Sequence, residues 1–549
     1  MKAKRLIALA LSCLMACGMA LATGCSNSPA SSQAASGSTG SDTSTASEPS
    51  NFNAEGMPIV NDKITETLFG CKHPIHGDWS QMVFFTEMET KTNIAFEFDT
   101  PALEVFQDQK NLAFSSGEYA GVFLGSMLST QEMVKYGVDQ KILLPLEDLI
   151  DQYCPNISKM FADHPDVKAS ITATDGHIYA IPQYTVAPIA MIGSGWVNYK
   201  WMEKISMSND ELPTTVEDLY TMLKKMQDAG CKYPFSVGDD GEHAASLYTN
   251  ILPAFGIPSR DFYVDEAGKI QYGLAQDNAV EFFKYIQKLY SEKLLDPDAF
   301  TQGYAELSAK GSSNEVGLAF HAIPTLLYGS DLTNEEAAKY PVLPALGSAV
   351  TNGKQMARQT GSGITQGTFA LTTNCKNVEA MMRWVDYLYS EEGSLLIHYG
   401  PEGLGWKTNS DGVYEQIMPT DGRSYEERRG GSITPDCGIP CPKFVRAKTE
   451  GNWSDPLQQT RVKQIDEKVW PYRYLPLPDM FLTAEEQKVI DTYTTDLNKY
   501  IIEQGAKYMT GDNDVANYSS FVDGLKSMHL DELISTYQTA YDRWLSNNK

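Results

Sequence analysis

The chain has 549 residues, with 44 Lys and Arg against 70 Asp and Glu, for a formal net charge of −26. That balance excludes nucleic acid and anionic membrane surfaces as partners held by charge. The length allows two lobes, each with a core of its own.

Lys2, Lys4 and Arg5 precede an apolar run over residues 6–21, the layout of a secretory leader over 1–24. Ala22-Thr23-Gly24-Cys25 resembles a bacterial lipobox, which implies lipidation (diacylglycerol and palmitate) at Cys25 and anchoring on the extracellular face of the cell membrane. The alternative is an ordinary secretory leader cleaved elsewhere. Residues 25–55 are rich in Ser, Thr, Ala and Gly and read as a flexible tether. No later apolar run reaches the length of about 18 residues that a membrane span needs.

Residues 63–69 and 94–98 alternate as strands, with a helix expected from 79 or 80 to 90 between them. A second helix over 106–116 ends at Gly117, and 119–124 is a short apolar strand. This βαβαβ order predicts an α/β lobe with a largely parallel sheet. Its ligand-facing loops would be 70–79, 100–106 and 125–130.

Asp175-Gly176 is a tight turn, 177–181 alternates like a strand, and Pro182 ends it. Residues 186–192 read as a second, buried strand and 198–205 as the start of a helix, so the chain leaves one unit here and enters another. In the second unit Thr214 and Glu217 have the spacing of a capping box, ahead of a stripe formed by Val216, Leu219, Tyr220, Leu223 and Met226. A strand over 233–237, a helix over 277–293 and a strand over 316–321 follow. Further on come a strand over 367–372, a helix over 378–390 with Trp384 inward, and a helix opened by Thr483 and Glu486.

Cys13 and Cys17 fall in the leader. Cys71, Cys154, Cys231 and Cys375 are scattered and read as small core residues. Cys437 and Cys441 form a C-x₃-C pair without a second pair nearby, so zinc is not expected. Either a local disulfide or two free thiols fits that spacing. The chain has no G-x-S-x-G, H-E-x-x-H or P-loop motif. Gly511-Asp512-Asn513-Asp514 lacks the alternating ligands of a calcium loop and reads as a turn. No metal and no cofactor are expected.

Asp175-Gly176-His177-Ile178-Tyr179-Ala180-Ile181-Pro182 resembles the D-G-x-x-Y-x-x-P crossover of bacterial extracellular solute-binding proteins, the sugar-capturing lipoproteins of ABC importers. Ile150-Asp151-Gln152-Tyr153-Cys154-Pro155-Asn156-Ile157, with His164-Pro165-Asp166-Val167 after it, is similar to alginate-oligosaccharide-binding members of that family. The helix ending at Glu392-Gly393, the loop Tyr399-Gly400-Pro401-Glu402-Gly403-Leu404-Gly405-Trp406 and the C-terminal run to Trp544 follow in the family's order.

The resemblance implies a two-lobed α/β fold like that of periplasmic binding proteins, of the class II type. Residues 56–180 and 323–402 would form the first lobe, 181–322 and 403–549 the second, with crossovers near 178–184, 318–324 and 400–406. It further implies a monomeric, non-enzymatic protein that captures an oligosaccharide between its lobes and passes it to a membrane permease. The calcium loop of alginate binders is not carried over, because 227–233 is shorter and lacks its oxygens.

Sugar rings stack on aromatic planes, and their hydroxyls need directional polar partners. Trp79, Tyr184, Trp196, Tyr248, Trp406, Trp470 and Tyr472 are therefore the candidate platforms, and Asp78, Gln183, His321, Arg358 and Glu402 the candidate polar partners. Each lies in an expected interlobe segment. Ile323 stands where alginate binders carry a stacking Trp. Two other readings remain: a binder of a non-sugar solute such as a peptide, and a lipid-anchored polysaccharide-active enzyme with two facing carboxylates.

Overall fold

The computed structural model describes residues 50–238 and 245–548. The leader, Cys25 and most of the tether lie outside the described residues. Residues 51–549 form one compact unit.

Six strands make the first lobe's sheet. Its spatial order is Lys443–Val445, Ile181–Thr185, Ile364–Leu371, Val122–Leu124, Ile64–Gly70 and Ile94–Asp99. Ile64–Gly70 runs parallel to both Ile94–Asp99 and Val122–Leu124, as the βαβαβ pattern requires. Ile364–Leu371 is inserted antiparallel between Val122–Leu124 and Ile181–Thr185. Apolar clusters cover both faces, one including Trp384, Phe84 and Leu68, the other Phe69, Phe106 and Phe123.

Pro182 lies inside a strand rather than ending one. Between Ile181 and Gln183 the register with Ile364–Leu371 shifts, so the missing N–H falls at a bulge. Residues 188–190 form a 3-10 turn instead of a buried strand, because Pro188 favours a turn and Ala190 faces solvent. The strand comes later, at Gly195–Val197. Thr215, not Thr214, caps the helix Val216–Asp228, accepting from the Asp218 N–H. Thr483 forms the expected capping box with Glu486.

The second lobe is built on three strands, Gly195–Val197, Val316–Phe320 and Tyr233–Phe235, with Val316–Phe320 central. Val316–Phe320 is buried at every position, hence its unbroken apolar run. Helices Val216–Asp228, Ala279–Ser291 and Ala484–Thr510 share one core on this lobe. Trp196, Tyr328, Tyr340, Val342 and Ile465 fill another.

The lobe boundaries differ from those expected. Residues 325–343 pack on Trp196 in the second lobe, and the chain rejoins the first sheet only at Ile364. Conversely, Lys443–Val445, expected in the second lobe, is an edge strand of the first. Lys443 is held there by its ammonium, which lies 2.6 Å from Asp436 Oδ1 and 2.7 Å from Gln183 Oε1. All six cysteines of the described unit are free and buried. Cys437 and Cys441 form no disulfide; the Cys437 thiol donates to Glu426.

Candidate functional site

The strand Val316–Phe320 delivers His321 to the end of the second lobe's sheet, beside the segment that arrives from the first lobe. The His321 N–H donates to the Ser194 carbonyl at 3.3 Å. Its own carbonyl accepts the Trp196 indole N–H at 2.9 Å. Thr360, on the return segment, donates through its N–H to the Met191 carbonyl at 2.8 Å. Thus both interlobe segments are tied together at the mouth of one cavity.

That cavity has a volume of about 640 Å³. Its walls are the 189–194 crossover, the helix Ala245–Asn250, Tyr304, the end of the Val316–Phe320 strand, Thr360 and Arg461. The Tyr304 ring meets the His321 ring edge-on, centroids 4.8 Å apart, and Tyr304 is 37 % exposed. Burial pushes the His321 imidazole below its ordinary range, so at neutral pH it is an uncharged donor and acceptor. Its Nδ1 accepts the Ala322 N–H at 2.8 Å, leaving the proton on Nε2. Asn250 Nδ2 donates to the Ser246 carbonyl, and the Ser246 hydroxyl is buried without a partner among the described residues. A narrow recess of about 30 Å³ adjoins the cavity, shares Ile192, Gly193, Asn250 and Phe320 with it, and reaches Arg358.

Of the residues singled out from the sequence, His321 borders the cavity and Arg358 the recess. The aromatics are placed differently. Trp196 is fully buried and Tyr248 is 3 % exposed, packed against Phe282. Trp79 stacks on Phe85 in the first lobe's core. Tyr184 is buried against Phe444, ring centroids 5.6 Å apart and nearly parallel. Trp470 is half-buried under the Arg473 guanidinium, and the exposed Tyr472 follows it. Trp406 is buried against Tyr414 and donates to the Gly400 carbonyl.

The polar candidates away from the cavity hold local structure. Asp78 caps a turn through Ser80, Gln183 accepts from Lys443, and Glu402 accepts the Thr408 N–H. Tyr304, Ser246, Asn250, Thr360 and Arg461 were not singled out. Tyr304 opens a helix with Gly303 before it and Glu306 after it, which is the signal that could have placed it at a helix start beside the cleft.

No Asp or Glu among the described residues lines this cavity. Nor do three or more His, Cys, Asp or Glu side chains among them gather as a metal site. No helix among them is long and apolar enough to cross a membrane.

Residues 73–394 match the sequence model of the family "Bacterial extracellular solute-binding protein". The chain belongs to this family. Among its relatives is the fructooligosaccharide ABC transporter substrate-binding protein FusA of Streptococcus pneumoniae. The two are 26 % identical over 544 residues, 92 % of this chain and 95 % of FusA. The structure of an EF-hand mutant of FusA with fructo-nystose superposes with a TM-score of 0.66 at 23 % identity, covering 88 % of this chain and all of that one. An extracellular solute-binding protein from Bifidobacterium longum subsp. infantis gives a TM-score of 0.71 at 19 % identity over 88 % of this chain and 98 % of its own. The solute-binding fold, with its two lobes, is therefore the fold of this family member.

Proposed function

We propose that this protein is the extracellular substrate-binding lipoprotein of an ABC importer, and that it captures an oligosaccharide in the cavity at the lobe crossover. The observation that carries the reading is the cavity's composition. An exposed aromatic, Tyr304, stands against a neutral imidazole, His321, in a cavity also lined by the Asn250 amide, four hydroxyl side chains and the Arg461 guanidinium. Aromatic edges and faces suit the C–H surfaces of sugar rings, and the polar groups suit their hydroxyls. FusA, a relative across nearly the whole chain, is named for fructooligosaccharide transport, which favours a sugar over a peptide.

His321 and Arg358 remain binding residues in this reading. Trp196 holds His321 through its indole N–H and Tyr248 lies on the wall helix, while Trp79, Tyr184 and Trp406 pack in clusters away from the cavity and Trp470 packs against the second lobe's Trp196 cluster. Closure of the two lobes on the solute would present the loaded form to the permease subunits. Cys25 would carry the lipid and residues 26–55 the tether, holding a monomeric binding unit at the outer face of the membrane.

Melting of the 51–549 fragment against a panel of neutral and acidic oligosaccharides, with peptides alongside, tests the reading. A glycan at a hundred times its Kd should stabilise the fragment by about 2.7 kcal/mol. Stabilisation by one glycan class, with the glycan recovered intact, is the expected result. Stabilisation by peptides alone, or hydrolysis of the glycan, would replace it with one of the two other readings. Release of the full chain from membranes by Cys25→Ser tests the anchor.

A further inference from the structure

Two arginines border the cavity and its recess, and neither forms an ion pair with a described residue. Arg461, on the helix Pro456–Lys468, donates one N–H to Gln458 Oε1 at 3.2 Å, while its Nε is buried with no partner among the described residues. Arg358, at the start of the return segment, likewise has a buried Nε with no partner.

The carboxylates nearest these guanidinium groups form no ion pair with them and bond other groups. Glu450 accepts the Tyr399 hydroxyl, and Asp455 caps its own helix. Asp261 is paired with Arg260 at 3.2 Å. Burial accordingly pushes both Arg461 and Arg358 below the ordinary guanidinium range, against the pull of those acids. A partly desolvated guanidinium with an N–H left unbonded is costly, and the acids nearest these two form no ion pair with either. No Asp or Glu among the described residues lines the cavity. An anion with a planar, two-oxygen shape would match the unbonded edge of such a guanidinium fork.

We propose that the solute of this cavity is an acidic oligosaccharide, whose uronic-acid carboxylate is held by Arg461 with Arg358 as the second guanidinium at the recess. This rests on the oligosaccharide-capture reading and names its substrate class. It also resolves how a strongly acidic protein would hold an anion. The long-range field is unfavourable, and the attraction is confined to two cations in a low-dielectric pocket.

The test is a calorimetric titration of the 51–549 fragment with matched pairs. Each uronate oligosaccharide (oligogalacturonate, alginate oligomer, hyaluronan oligomer) is paired with its methyl ester or with a neutral glycan of equal length. A charge-assisted contact to guanidinium predicts at least about tenfold tighter binding of the acidic member of one pair. Arg461→Gln should collapse that ratio, and Arg461→Lys, which keeps charge but loses the fork, should reduce it part-way. In the unsubstituted fragment, added salt should hold or widen the ratio, because it screens the long-range repulsion more than the pocket contact, a readout independent of how the variants fold.

Equal or tighter binding of the neutral member in every pair that binds overturns the proposal and leaves the capture reading standing. Failure of every glycan, acidic and neutral, overturns the capture reading and this proposal with it. An acidic preference unchanged in both Arg461→Gln and Arg358→Gln, each verified as folded by its melting curve, overturns the assignment to these two residues.

Discussion

The Trp196 indole N–H donates to the His321 carbonyl at 2.9 Å. A tryptophan in the crossover thus sits behind the site rather than in it, fixing the residue that lines the cavity. Trp196 is fully buried among Tyr328, Tyr340 and Val342. Trp196→Phe keeps most of the volume and removes the hydrogen bond, so it should cost about 1 kcal/mol, whereas Trp196→Ala should cost about 3–5 kcal/mol. Urea unfolding of the two variants measures both. Equal, negligible losses would contradict the placement of this side chain.

Tyr304 is the converse case. Its ring is partly exposed at the cavity, so Tyr304→Ala should leave the melting temperature within a few degrees of the parent while weakening glycan binding about tenfold. Parallel melting and titration curves separate the two effects. Destabilisation with unchanged affinity would assign Tyr304 to packing alone.

The junction between Lys443 and Asp436 bears on stability. Their side chains are 2 % and 3 % exposed, and the ammonium also contacts Gln183. Lys443→Met leaves the buried Asp436 carboxylate with only His398 and the Cys441 N–H as direct partners and should cost about 3 kcal/mol. The double variant Lys443→Met, Asp436→Leu should recover part of that loss. Chemical denaturation of the three variants measures the coupling. A strictly additive result would show that the pair acts as two independent groups.

A different carboxyl sets a pH dependence. Asp386 is 4 % exposed and accepts from Asn156 Nδ2 at 2.8 Å and from the Ile157 N–H at 2.9 Å. Burial nevertheless pushes it up to about 6, against about 3.9 in an unfolded chain. Between those values the folded state holds a proton that the unfolded state has released. Stability therefore falls as pH rises from about 4 to about 6, by about 3 kcal/mol from this group. Denaturation at stepped pH should show a profile for Asp386→Asn that lacks this component. Parallel profiles for the two proteins would contradict it.

Much of the fold was legible in the chain because periodicity reports burial directly. The βαβαβ start, the stripe of Val216 to Met226 and the Thr483 capping box all carry their signal within a few residues. The lobe boundaries were less legible, since Lys443–Val445 is too short a strand to show a period and its place is set by pairing with Ile181–Thr185 and by Gln183, far away in sequence. For the candidate site, His321 stood out at the end of an apolar strand and Arg358 as a cation just before a glycine-containing interlobe loop. The tryptophans misled because aromatic identity is the same for a core residue and a platform, and only burial separates Trp196 from Tyr304. Arg461 sits on a largely polar helix, where nothing local marks a guanidinium with an unbonded, buried Nε.

The central claim is that the cavity bordered by Tyr304, His321 and Arg461 is where an oligosaccharide is held. Isothermal titration of the 51–549 fragment and its Tyr304→Ala variant with the glycan that most raises the melting temperature tests it most directly. The account predicts one site per molecule with an affinity about tenfold weaker in the variant. Identical isotherms for the two proteins, with both fully folded, would place the glycan elsewhere and contradict the account.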